Sequence, residues 1–262
     1  MVWSINLLRK KMPELRNAVL IEGLPGIGNV GKVAADFLID ELKAVKIMEF
    51  LSYSMPHSVF VNEKNLVELP SIELYLKRMK KRDILILTGD IQPIDEESSY
   101  EFSEKILDIM QEVKGKEIIT LGGIGLAEEP NTPKIFCTGT SKKIIREYKE
   151  KTSINDKIYG VVGPIVGVSG LLLGLAKRRK MEAITLLSET YGHPMYLGIK
   201  GSREILKVLN KKLQLKINIK ELDKEIEDIE MEVMKKTKDL SSISKRTRLR
   251  KLSKFEDSSY IG

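Results

Sequence analysis

Gly26, Gly28, Gly31 and Lys32 fall within seven consecutive residues, and glycines at that spacing before a lysine are the material of a phosphate cradle. Two such patterns overlap there. Gly26, Gly28 and Gly31 satisfy G-x-G-x-x-G, whose backbone wraps a dinucleotide pyrophosphate, while residues 26–32 read G-x-x-x-x-G-K, the P-loop pattern. Each departs at one point. The P-loop needs Ser or Thr after the lysine, because that hydroxyl holds the Mg²⁺ bridging the phosphates. Here the residue is Val33, a hydrocarbon. A dinucleotide site needs an acid for the ribose, and Glu49, in the apolar stretch 45–50, stands near the expected distance. Yet Glu22, Leu24 and Pro25 put an acid and a rigid turn where the backbone would wrap a pyrophosphate. The same glycines also serve architecture, letting a helix lie close on a strand after a sharp turn. Both readings stay open: a nucleotide- or dinucleotide-binding enzyme using the Gly26 to Lys32 loop, or a packing device.

Elsewhere the reactive residues do not assemble. Ser169 lies in Gly167-Val168-Ser169-Gly170, which is not the G-x-S-x-G nucleophile elbow. Asp90, at a strand end, is the best acid candidate but has no evident histidine partner, and with Asp95, Glu96 and Glu97 it reads as a charge cluster at a helix start. Cys137 and His193 are the one conceivable thiol–imidazole pair. One cysteine and two histidines are too few for a Cys/His zinc site. No metal and no cofactor is expected.

Positioning such residues falls to an α/β body. Apolar stretches at 84–87, 118–121, 158–162 and 183–188 read as short buried strands, alternating with helices at 98–113 (capped by Ser98 or Ser99), 141–149, 168–177 and 202–213. Segments 59–61 and 66–68 flank a polar turn and read as a hairpin. This alternation predicts a mostly parallel sheet sandwiched by helices. Its glycine-bearing strand ends, at 23–28, 88–90, 122–125 and 163–170, are expected to line one crevice.

Charge and composition narrow the partners. The net charge of +7 resides in the tail: residues 235–262 carry nine Lys or Arg against three acids, leaving about +1 for the rest. Nucleic-acid binding is therefore not expected of the body. The uncharged stretch 158–176 is long enough to span a bilayer, but its five glycines and Pro164 suit a strand, a turn and a helix better, so no membrane span is expected. One cysteine and the lack of an opening secretory pattern point to the cytoplasm.

The C-terminal part is organised differently. Leu215, Ile219, Leu222, Ile226, Ile229, Val233 and Leu240 form a short heptad seam, with acids early and lysines late. The expected division is an α/β domain at 1–216, a C-terminal helix at 217–240 and a flexible basic tail at 241–262. A seam of about three heptads must pack on its own body or on a second copy, so a homo-oligomer is expected.

Five segments carry a resemblance. EGLPGIGNVGK at 22–32, LTGDIQP at 87–93, LGGIG at 121–125, GPIVGVSGLL at 163–172 and ETYG at 189–192, in that order, resemble the proteasome assembly chaperone 2 family, particularly its archaeal members. The likeness covers roughly residues 15–215. It implies a non-enzymatic α/β core that self-associates and binds proteasome α-subunits or the 20S core particle without ATP, as an assembly chaperone. Some archaeal relatives also activate the finished particle through a C-terminal hydrophobic-Tyr-any tail. This chain ends Ser258-Ser259-Tyr260-Ile261-Gly262, with the tyrosine third from the end rather than second. Tyr260, Ile261 and Gly262 are accordingly the expected partner-binding residues, an aromatic anchor and a terminal carboxylate on a basic leash.

Overall fold

The computed structural model describes residues 3–61, 64–93, 95–160, 162–193 and 196–218, together with Lys224. The chain divides into two units, Met1–Ile217 and Asn218–Gly262, and the α/β body is the first. Apart from Ile217, Asn218 and Lys224, the heptad helix expected at 217–240 lies outside the described residues, as does the tail at 241–262 with Tyr260, Ile261 and Gly262.

The first half of the body runs β1 (Trp3–Leu7), β2 (Val19–Glu22), a 3₁₀ turn (Ile27–Asn29), α1 (Val30–Leu42), β3 (Val45–Ser52), β4 (Phe60–Val61), β5 (Val67–Glu68), β6 (Ile72–Arg78) and β7 (Asp83–Gly89). The second half runs α2 (Glu96–Glu112), β8 (Glu117–Leu126), β9 (Ile135–Gly139), α3 (Lys142–Lys149), α4 (Val168–Arg178), β10 (Ala183–Tyr191) and α5 (Ile199–Leu213). Eight strands form one sheet in the order β1-β3-β6-β7-β2-β8-β10-β9, and β4 and β5 pair only with each other. The centre, β7-β2-β8-β10, is parallel. Antiparallel pairings extend it through β6, β3 and β1 on one side and β9 on the other. The mostly parallel sheet expected from the alternation of elements is present.

Each central strand carries a buried apolar run because both of its faces are covered. Leu20, Leu85, Leu87 and Ile118 share one cluster with Phe102 of α2 and Val168 and Leu172 of α4. The alternating residues Val19, Ile21, Ile84 and Ile86 are equally buried and lie on the opposite side, where α1 packs with α5. At the far edge, Trp3 of β1 sits 4.6 Å from the Phe102 ring, its indole N–H donates to the Ser98 carbonyl (3.0 Å), and Phe50 meets Phe102 edge-on at 5.3 Å. Helix α2 starts one turn earlier than expected. Its cap is Asp95, whose carboxylate accepts from the Ser98 amide at 2.8 Å, and the hydroxyls of Ser98 and Ser99 bond back to Asp95.

One expected strand is absent. The described residues of 158–162 turn instead: the Val162 amide donates to the Ile158 carbonyl (3.1 Å) and Gly160 takes φ +77°. The edge position beside β10 belongs to β9 instead. Strands β1, β6 and β9 had not been anticipated. The hairpin β4–β5 and the helices α3, α4 and α5 form where the sequence placed them. Among the described residues no helix is long and apolar enough to cross a membrane.

Candidate functional site

Strand β2 delivers the glycine loop onto the neighbouring backbone. A Cβ on Gly23 would lie 2.2 Å from the Gly31 carbonyl oxygen, one on Gly31 2.6 Å from that of Leu121, and one on Gly123 2.3 Å from that of Ile27. Real side-chain carbons do not approach so closely, so helix α1 reaches β8 only because these positions are glycine. Gly28 adds a φ of +61°, and its carbonyl accepts from the Gly198 amide at 2.6 Å. The loop is thereby clasped between β8 and the start of α5. Gly23, Gly28 and Gly31 serve close packing, whereas Gly26 has open space around it.

Lys32, the residue that would reach a phosphate, points elsewhere. Its ammonium pairs with Asp36 at 2.8 Å, and Asp36 in turn accepts from the Thr88 hydroxyl at 2.8 Å. The hollow there is about 300 Å³ and brings Asp36, Asp40, Glu73 and Asp90 around that one lysine. Glu73 also meets Lys46 at 2.9 Å, and four carboxylates against two cations still repel a polyphosphate. Glu49, the expected ribose acid, is on β3, separated from β2 by β7 and β6, or roughly 14 Å at the usual strand spacing. There it accepts from Lys46 at 2.7 Å. The dinucleotide constellation is therefore not assembled.

The crevice itself is real. Residues 24–27, 121–125 and 162–171 meet the first turn of α2 around a cleft of about 900 Å³, a volume typical of ligand sites. Three of the four expected glycine turns line it. The fourth, 88–90, opens into the acidic hollow instead, and Asp90 there accepts from the Ser71 amide at 3.0 Å. Gln92 and Pro93, just beyond that turn, are the residues that reach the cleft. Gln92 is its clasp: its amide nitrogen donates to the Pro25 carbonyl at 2.7 Å, and its oxygen accepts from the Val168 amide at 3.3 Å. The rim is apolar, with Ile27, Tyr100 and Val166 exposed.

Beneath the cleft lies a buried acid. Glu22, at the end of β2, has no exposed surface; its carboxylate accepts from the Leu24 amide at 3.0 Å and from the Ser169 hydroxyl at 2.8 Å. Burial outweighs those two bonds and pushes its carboxyl from 4.5 up to about 7. Sequence reasoning treated Glu22 only as an obstacle to phosphate. The signal that marks it is an acid at the end of the apolar run Val19-Leu20-Ile21, which the centre of a parallel sheet buries on both faces. Ser169 is committed to this carboxylate through its hydroxyl proton. The Cys137 thiol is buried on β9 and pushed up to about 11 by desolvation, far from a reactive thiolate at neutral pH. It sits opposite Leu186, and β10 continues for five more residues, roughly 17 Å, before Tyr191, on which His193 stacks. Cys137 and His193 therefore do not form a pair. Among the described residues no cluster of His, Cys, Asp and Glu could hold a metal ion.

Comparison with known proteins agrees with this geometry. The PAC2 family profile matches residues 20–237. An uncharacterised protein of Methanocaldococcus jannaschii is 31% identical over 266 residues, covering 100% of both chains. Among solved structures, Pyrococcus furiosus PbaB, described as an archaeal proteasome activator, superposes with a TM-score of 0.79 at 35% identity, over 90% of this chain and 99% of its own. Pyrococcus furiosus PbaA, described as an archaeal homolog of proteasome-assembly chaperone, gives 0.73 at 28% identity, over 98% and 99%.

Proposed function

From the premise that the chain belongs to the PAC2 family, we propose that it is a proteasome-binding factor, an assembly chaperone that also activates, engaging α-subunits or the 20S core particle without ATP. The observation that carries this reading is the 35% identity to PbaB across 90% of the chain, high enough to extend the likeness from fold to role. Independence from ATP is supported by Val33 in place of the Mg²⁺-binding hydroxyl and by the engagement of Lys32 with Asp36. Neither nucleic acid nor membrane is a partner in this reading, and the protein works in the cytoplasm as a homo-oligomer.

Docking runs through Tyr260, Ile261 and Gly262. An aromatic anchor in a desolvated pocket carries about 2 kcal/mol or more, and several tails on one oligomer multiply it through effective concentration. The basic residues at 245–254 raise the association rate, so binding weakens with salt while Tyr260 sets dissociation. The test is binding to, and peptide hydrolysis by, the 20S core particle. It compares the full chain, Tyr260→Ala and a chain lacking residues 259–262. Stimulation by the full chain alone is expected. Equal binding and stimulation by all three removes the tail from the mechanism, and binding by none of them refutes the proteasome reading.

A further inference from the structure

Strands β3 and β6 are antiparallel neighbours, a pairing that needs a connection of about 2–5 residues. This chain spends nineteen, residues 53–71, and folds them into the separate hairpin β4–β5. Phe60 pairs with Glu68 and Val61 with Val67, and the same register sets Val59 opposite Leu69. Side chains alternate between faces along a strand, so Val59, Val61, Val67 and Leu69 share one face. All four are 55–71% exposed, and Phe60 and Leu66 on the arm are exposed as well. Among the described residues, β4 and β5 pack substantially only against each other. A lone two-stranded hairpin is marginal in water, and an aliphatic face left open on one is more so.

We propose that this arm is a self-association surface, on which the aliphatic face of one copy packs against the same face of a second across a two-fold axis. What recognises it must be apolar, because the face holds no charge to select a charged partner. A second copy supplies an identical aliphatic face with matching strand pleat, the requirement of an isologous contact. The arm carries on the order of 500 Å² of apolar surface, so a pair buries roughly 1,000 Å², the threshold of a specific interface. The inference is independent of whether the C-terminal residues dock.

The test is light scattering on the full chain from about 1 to 100 μM, beside Val61→Asp/Val67→Asp and the off-arm control Tyr159→Ser. The wild type and control are expected at a multiple of 29.7 kDa, and the double variant at half that mass or less with an unchanged far-UV circular dichroism spectrum. A monomeric wild type at 100 μM, or a double variant with wild-type mass, overturns the proposal. An oligomer that persists while the double variant loses binding to the 20S core particle also overturns it, and reassigns the arm to that partner. Because an aspartate could disturb the arm itself, a second measurement places a single thiol on a Cys137→Ser background. Val61→Cys should form an intermolecular disulfide on mild oxidation where Tyr159→Cys does not, and equal yields refute the contact.

Discussion

Replacing Glu22 by glutamine isolates the cost of keeping an acid beneath the cleft. Glutamine has the same shape, keeps an oxygen for the Leu24 amide and turns an N–H toward the Ser169 hydroxyl, so packing and hydrogen bonding survive. What changes is titration. Below pH 4.5 the carboxyl is protonated in both folded and unfolded chains and its contribution is fully retained. Between 4.5 and about 7 the unfolded chain ionises while the folded chain holds its proton, so stability falls as pH rises. Above about 7 the loss is complete. A gap from 4.5 to about 7, at about 1.36 kcal/mol per unit, amounts to about 3 kcal/mol. Roughly 2.5 kcal/mol of it develops between pH 5 and pH 8. For a body of this size 1 kcal/mol moves the melting temperature by about 2–4 °C, so the Gln variant should gain ~5–10 °C on the wild type across that interval. Thermal melts of both proteins at pH 5, 6, 7 and 8 measure it. Parallel melting curves, with a constant difference at every pH, would mean that the carboxyl is ionised at neutral pH and would refute the assignment of its raised pKa to burial.

Two further outcomes separate packing from phosphate binding. Gly31→Ala and Gly23→Ala should each cost about 3 kcal/mol in chemical denaturation, because the added carbon meets backbone rather than a flexible side chain. Gly26→Ala should stay within about 0.5 kcal/mol, since that glycine has open space around it and an extended φ of −159°; a costly Gly26 beside a tolerant Gly31 would reverse the reading. Millimolar ATP or NAD should leave the melting temperature unmoved, whereas a nucleotide at ~100 times its dissociation constant adds about 2.7 kcal/mol. A shift lost in Lys32→Ala would restore the nucleotide site.

The parts of the fold legible in the chain are those with one dominant physical signal. Strands β2, β7, β8 and β10 each hold a short run of buried apolar residues, and α2 places Phe102, Ile106 and Ile109 at helical spacing with all three buried. Weak signals failed. Only Trp3 of the five residues in β1 is buried, and β9 ends in Cys-Thr-Gly, so neither stands out from a loop. The alternation of Ile72, Leu74 and Leu76 in β6 was visible in principle, since those three are buried and their neighbours are not. Segment 158–162 misled because four apolar residues flank a glycine that the folded chain uses as a turn. At the site, the meeting of turns 23–28 and 122–125 followed from β2 and β8 being parallel neighbours, whereas 163–170 reaches the cleft with no strand before it. The diversion of 88–90 and the bond from Ser169 to Glu22 did not follow from strand order, because both depend on which face a residue takes at the end of its strand.

The seating of Trp3 against α2 sets an order in which the body can be completed during synthesis. β1 leaves the ribosome before the strands it packs with, yet its ladder partner β3 ends at Ser52, and the carbonyl that its indole reaches belongs to Ser98. Strand β1 can pair once β3 is made, but its indole must wait for nearly a hundred further residues before its acceptor exists. Until it arrives, the rings of Phe50 and Phe102 lack their third member and the far side of the sheet stands open. Strand β1 is in this sense a late-closing clasp, and the nascent chain is most vulnerable to misassociation along the edge that β1 will eventually cover.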